Sequence, residues 1–144
     1  MNLLRDGAFR ALLFCQTVVF LLLTSGCEGD SDLVIPPHPI NATVGEDIVI
    51  PCHLDPVVDA TDLTIIWWKF DRDPKFVFVW KDGEEMKSKP HALFTGRTSV
   101  SSSNLKHGDV SLKLQSVKRS DQGKYACHIE TLMREAFIDL VVVQ

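Results

Sequence analysis

Two cysteine–histidine pairs, Cys52-His53 and Cys127-His128, carry the most versatile chemistry in this chain. Four such side chains converging would make a tetrahedral zinc site, and the two thiols alone would make a disulfide. On a strand, adjacent residues point to opposite faces, so each histidine faces away from its cysteine and a four-ligand cluster is disfavoured. For covalent or acid–base catalysis the other candidates are Ser101-Ser102-Ser103 and the carboxylates Glu84 and Glu85. The serines lie in a polar stretch and the carboxylates follow a hairpin turn, so both read as solvated loop. No catalytic residue, metal, cofactor or small-molecule substrate is expected.

The elements that position the cysteines are short strands broken by turn residues. From Glu46 to Leu54, Ile48, Ile50, Cys52 and Leu54 alternate on one face, and Leu63, Ile65 and Trp67 alternate likewise in a second strand. Trp67 is thereby aimed at the cysteines, leaving Thr64, Ile66 and Trp68 on the opposite face. Phe76 to Lys81 is a strand ending in Asp82-Gly83, a hairpin signal because both residues tolerate positive φ. Strands follow at Arg97 to Ser101 and around Val110, Leu112 and Leu114. Ser120 to Gly123 turns into a strand with Tyr125, Cys127 and Ile129 inward, and Ile138, Leu140 and Val142 line the last one. Cys52, Trp67 and Cys127, with Tyr125 two residues before the second cysteine, describe an all-β, immunoglobulin-like sandwich. The space between the strand of Trp67 and that of Arg97 admits two extra strands, which predicts the variable type, with sheets ABED and GFCC′C″.

Composition and compartment fit a recognition module. The 144 residues have room for one domain and a targeting segment. A net charge of −4 with scattered basic residues argues against nucleic acid. Residues 1–26 read as a secretory signal: Arg5 and Arg10, an apolar run from Ala11 to Leu23, then Thr24-Ser25-Gly26. Cleavage falls between 26 and 29, and the choice decides whether Cys27 survives. Residues 27–39 are expected to be a linker and 40–144 the domain, with a first edge strand near Ile40 to Val44. Export places Cys52 and Cys127 where a disulfide persists. Asn41-Ala42-Thr43 is the one N-glycosylation sequon and is expected to carry glycan over the back sheet.

Several stretches resemble the V-set immunoglobulin domains of the butyrophilin and myelin-oligodendrocyte-glycoprotein family: Cys52-His53-Leu54, Trp67-Trp68-Lys69, Trp80-Lys81-Asp82-Gly83, Gly96-Arg97-Thr98, Val110 to Val117 and Ser120 to Cys127. The resemblance implies a structural pair between Arg97 and Asp121, and a Tyr125 hydroxyl bonded to backbone at the same corner. It also implies an extracellular ligand or receptor, at the external side of the plasma membrane or secreted, that modulates T-cell receptor signalling and cytokine production. The last strand, Ala136 to Gln144, lacks the Phe-Gly-X-Gly motif of rearranged antigen receptors. Members of the family normally continue into a second domain or membrane helix, so the end at Gln144 implies a short secreted form or an incomplete product.

Function is expected on apolar residues the sandwich cannot use. Strict alternation in Lys75 to Trp80 buries either Phe76, Phe78 and Trp80 or Val77 and Val79, so one set faces outward with Trp68 and Ile66. Such a patch on the GFCC′C″ face marks a protein interface. Trp68, Phe76, Phe78 and Trp80 are therefore candidate contacts, joined by Leu132 and Met133 in the loop Glu130 to Glu135. The expected partner is a protein on immune cells; the alternative is homophilic adhesion through a homodimer.

Overall fold

The computed structural model describes residues 31–71 and 73–144. The signal segment and Cys27 lie outside the described residues. One sheet has six strands in the order β2 (Ile40–Thr43), β11 (Arg134–Val143), β10 (Gly123–Ile129), β5 (Ile65–Phe70), β6 (Lys75–Lys81) and β7 (Glu84–Glu85). All its neighbours are antiparallel except β2 and β11, which run parallel. The facing sheet consists of β3 (Ile48–Ile50), β9 (Leu112–Leu114) and β8 (Thr98–Ser99), while β1 (Asp32–Val34) pairs separately with β4 (His53–Asp55).

Two expectations about the N-terminal part are corrected. Part of the expected linker is strand, since Asp32–Val34 lies against His53–Asp55. The first edge strand, at Ile40–Thr43, joins the six-stranded sheet beside β11, so Asn41 does not sit over the back sheet. Pro36, Pro37 and Pro39 explain the division: without N–H groups they cannot continue a ladder, and the chain crosses between sheets there. Pro51 similarly interrupts the strand of Cys52, and Ser111 Oγ accepts from the Cys52 N–H at 3.0 Å in place of a ladder carbonyl.

The core lies between the sheets and follows the expected alternation. Ile50, Cys52 and Leu54 face Ile65, Trp67, Tyr125, Cys127, Ile129, Ile138 and Leu140, all buried. Trp67 Nε1 donates to the Val110 carbonyl across the sandwich at 3.0 Å, so its one polar atom is satisfied in the core. The Asp82-Gly83 turn has φ of 55° and 77°, the conformation its sequence signals. The extra strands are brief. β7 has two residues, after which the chain is held to β6 by the His91 N–H on the Phe76 carbonyl at 2.8 Å. Ser101 caps α1 (Ser102–Leu105), a single turn that buries Leu105.

β6 departs from strict alternation. Trp67 lies opposite Phe78 and Trp68 opposite Phe76, so Val77 is an extra residue, a β-bulge. Val77 and Phe78 are both in the core, Phe78 at 1% exposure, whereas Phe76 on the other side of the bulge is 40% exposed. Thr98 Oγ1 donates to the Val77 carbonyl at 2.9 Å and ties the bulge to β8. Phe78 is thus not a surface contact. Trp80 is not one either: it pairs with inward-facing Ile65, packs half-buried against the core and donates Nε1–H to the Thr61 carbonyl at 2.8 Å.

Candidate functional site: the outer face of the six-stranded sheet

Cross-strand neighbours share a face, so the register names the outer surface directly. Trp68 lies opposite Ala126, Ala126 opposite Phe137, and Trp68 opposite Phe76 across the bulge. Ala126 is fully buried yet outside the core cluster, beneath the aromatic rings on either side. Trp68 stands 5.8 Å from Phe76, 6.0 Å from Phe70 and 6.1 Å from His128, and Phe70 is 5.7 Å from Phe137. These separations are within the range of favourable tilted ring contacts, so the cluster is a packed aromatic layer. Phe76 and Phe137, 40% and 45% exposed, present its outer surface to solvent.

Polar groups frame the layer. Trp68 Nε1 donates to Glu135 Oε2 at 3.3 Å, and the same oxygen is 3.6 Å from His128 Nδ1. The Lys124 ammonium is 5.9 Å from the centroid of Phe137. At one side Asp71 bridges Lys69 at 2.8 Å and Lys75 at 2.7 Å, which holds its carboxyl below the usual carboxylate range. Lys69 passes so close to Gly123, φ 149°, that a Cβ there would lie 3.2 Å from the ammonium nitrogen.

Among the expected contacts, Trp68 and Phe76 belong to this layer. Met133 is 83% exposed at the tip of the β10–β11 connection, in the left-handed conformation after a 3-10 turn, Glu130–Leu132. Leu132 packs half-buried against the core, because that turn brings it back over the sandwich. The tip is tied to the β4–β5 loop through Thr64 N–H on Thr131 Oγ1 at 2.9 Å and Glu130 N–H on the Thr64 carbonyl at 3.0 Å. Sequence reasoning missed Phe70, His128 and Phe137. The signal was available: each lies an even number of residues from an outward-facing position on its own strand.

The framework residues meet at the opposite end of the sandwich. Arg97 Nη1 and Nη2 reach Asp121 Oδ2 and Oδ1 at 2.9 and 2.8 Å, a bidentate pair, and Arg97 is held protonated beyond its ordinary range by that carboxylate. The guanidinium also lies 5.6 Å from the ring centre of buried Phe94, which packs edge-on against Tyr125. The Tyr125 hydroxyl donates to the Asp121 carbonyl. Burial, then the Asp121 charge, raise its pKa far above the tyrosine norm. Tyr125 is the only tyrosine, so ultraviolet titration reads it alone. The native state keeps a proton that the unfolded chain releases above about pH 10, so stability falls as pH rises beyond that value. The expected trace has no phenolate signal until alkaline unfolding; a smooth titration near pH 10 in folded protein would contradict the buried hydroxyl.

Cys52 and Cys127 are buried thiols beside Trp67, unjoined in the structure, and burial followed by the neighbouring Cys52 thiol pushes Cys127 well above the usual thiol range. His53 is exposed, and among the described residues no three metal-capable side chains converge.

The sandwich with its Arg–Asp corner defines a variable-type immunoglobulin domain. Residues 35–142 match the immunoglobulin V-set domain family, and the chain belongs to it, in its butyrophilin and myelin-oligodendrocyte-glycoprotein branch. It is 38% identical over 96 residues to butyrophilin subfamily 1 member A1 of Bos taurus, covering 67% of this chain and 18% of that protein. Myelin-oligodendrocyte glycoprotein of Pongo abelii is 28% identical over 134 residues, covering 89% of this chain and 53% of that one. The crystal structure of bovine butyrophilin superposes with a TM-score of 0.70 at 34% identity, covering 78% of this chain and 54% of that chain. The relatives are non-enzymatic immunoglobulin proteins of the cell exterior or plasma membrane, and the chain spans only part of their length. Among the described residues no helix is long and apolar enough to cross a membrane.

Proposed function

We propose that the chain is an extracellular recognition domain that engages a protein receptor on immune cells through the outer face of its six-stranded sheet, and thereby modulates T-cell receptor signalling and cytokine production. The observation that supports this reading is the aromatic layer of Trp68, Phe70, Phe76 and Phe137, left open to solvent on a sheet whose other face is fully used by the core. Aromatic anchors ringed by polar groups are the composition of interface hot spots. The butyrophilin relationship supplies the immune setting.

The direct test is staining of lymphocytes with the folded domain. Phe76→Asp with Phe137→Asp changes two exposed side chains, so unfolding stability should move little. Loss of two hot-spot anchors is expected to weaken binding by at least 100-fold, about 2.7 kcal/mol. Undiminished staining by the double variant would remove the outer face from consideration.

The same setting supplies the oxidant the cysteines lack in the cytosol. In the exported protein the Cys52 and Cys127 thiols, already neighbours, give up two protons and two electrons to the oxidative machinery of the secretory route and form the disulfide that links the two sheets behind the recognition face.

A further inference from the structure

The two edges of the six-stranded sheet are guarded differently. At one end β7 is only Glu84–Glu85, and a two-residue strand with two carboxylates offers little for another chain to pair with. At the other end β2 is Ile40-Asn41-Ala42-Thr43, without any charge. Val44 N–H donates to the Val143 carbonyl, so by alternation Ile40 and Ala42 also turn their peptide groups toward β11 and those of Asn41 and Thr43 face the open side. Thr43 is closed off by Glu46: its N–H donates to Glu46 Oε1 at 2.6 Å, and its carbonyl accepts from Glu46 N–H at 3.0 Å. Asn41 has no comparable cap among the described residues. Its side chain points outward, because Ala42 next to it enters the core.

The open rung of this edge is therefore also the acceptor of the chain's only sequon. We infer that Asn41 carries an N-linked oligosaccharide whose role is to close this edge against pairing with a second copy of the chain. The sugar comes from a lipid-linked oligosaccharide diphosphate of the secretory route. The Asn41 Nδ2–C1 bond forms as the C1–O bond to the carrier breaks, Nδ2 loses one proton, and the lipid diphosphate leaves. Once attached, a branched, hydrated glycan at the edge obstructs the approach of another strand to the Asn41 peptide groups.

The test uses the full chain exported from a eukaryotic host. Glycosidase release in heavy-oxygen water should convert Asn41 to labelled aspartate in the wild type and in Thr43→Ser, which keeps the sequon. Thr43→Ala and Asn41→Gln lose the glycan by two routes and should form concentration-dependent dimers or larger species in sedimentation, while the wild type and Thr43→Ser stay monomeric. Asn41→Lys also lacks the sugar but restores a charged guard, and should stay monomeric. Trimming the folded wild-type glycoprotein to its first sugar should give the same self-association whether or not a variant folds well. An unmodified Asn41 in the exported wild type overturns the inference. So do glycan-free variants as monomeric as the wild type, or a dimer that persists undiminished in Asn41→Lys, which would place the contact away from this edge.

Discussion

Replacing Asp121 by alanine is expected to lower the unfolding free energy by about 3 to 5 kcal/mol, the cost of leaving a partly buried charge without its partner. Arg97 would keep its guanidinium against Phe94 and lose both carboxylate oxygens. The damage extends beyond the ion pair, because Asp121 Oδ2 also accepts from the Lys118 N–H at 2.8 Å and closes the turn before β10. Arg97→Lys should cost less than Asp121→Ala, since a lysine keeps charge but cannot make two parallel bonds to one carboxylate. Urea unfolding of the three proteins checks the order. Equal midpoints for Asp121→Ala and wild type would show that the corner contributes nothing to stability.

The second large effect concerns the cysteines. In the oxidised, exported protein, changing both Cys52 and Cys127 to alanine should cost about 4 to 5 kcal/mol in the chain-entropy account, because the closed loop spans most of the domain. That is comparable to the entire stability of many domains, about 5 to 15 kcal/mol. Thiol reductant should lower the melting temperature of the wild type to that of the double variant and leave the double variant unmoved. If reductant has no effect on the wild type, the thiols are unpaired and the core is held by packing alone. Loss of receptor binding should follow unfolding in these variants, in contrast to Phe76→Asp with Phe137→Asp, where binding is lost from a folded domain.

The framework was legible because its residues do two jobs at fixed spacing. Cys52, Trp67, Tyr125 and Cys127 each had to face inward on a period of two, and the structure places all four in the core. Arg97 and Asp121 were paired by resemblance, and in the structure Arg97 Nη2 lies 2.8 Å from Asp121 Oδ1. What escaped was decided by tertiary pairing. Nothing local to Ile40–Thr43 specifies which sheet it joins; the prolines before it only require a break. Phe94 is buried from a stretch with no strand periodicity, so its place between Arg97 and Tyr125 emerges only once both partners are positioned. The bulge at Val77 depends on how β6 lies against β5, and without it alternation misassigned Phe78 and Trp80. The aromatic layer was half visible, through Trp68 and Phe76. Of its remaining members, Phe70 lies two residues from Trp68 on the same strand, while His128 and Phe137 come from strands remote in sequence.

Val77 acts as a change of reading frame within one strand. On the Trp80 side of it the even-numbered residues of β6 serve the interior, as Phe78 and Trp80 do, and on the other side Phe76 serves the exterior. A single strand thus contributes bulky rings to both compartments without a helix or a loop to reverse it. Were Val77 instead paired in regular alternation, Phe76 and Phe78, two residues apart, would fall on one face and share a fate, either overfilling the interior or stripping it. Substitutions at Phe76 can therefore accumulate while Phe78 stays unchanged, and the domain can change what it recognises without renegotiating how it folds.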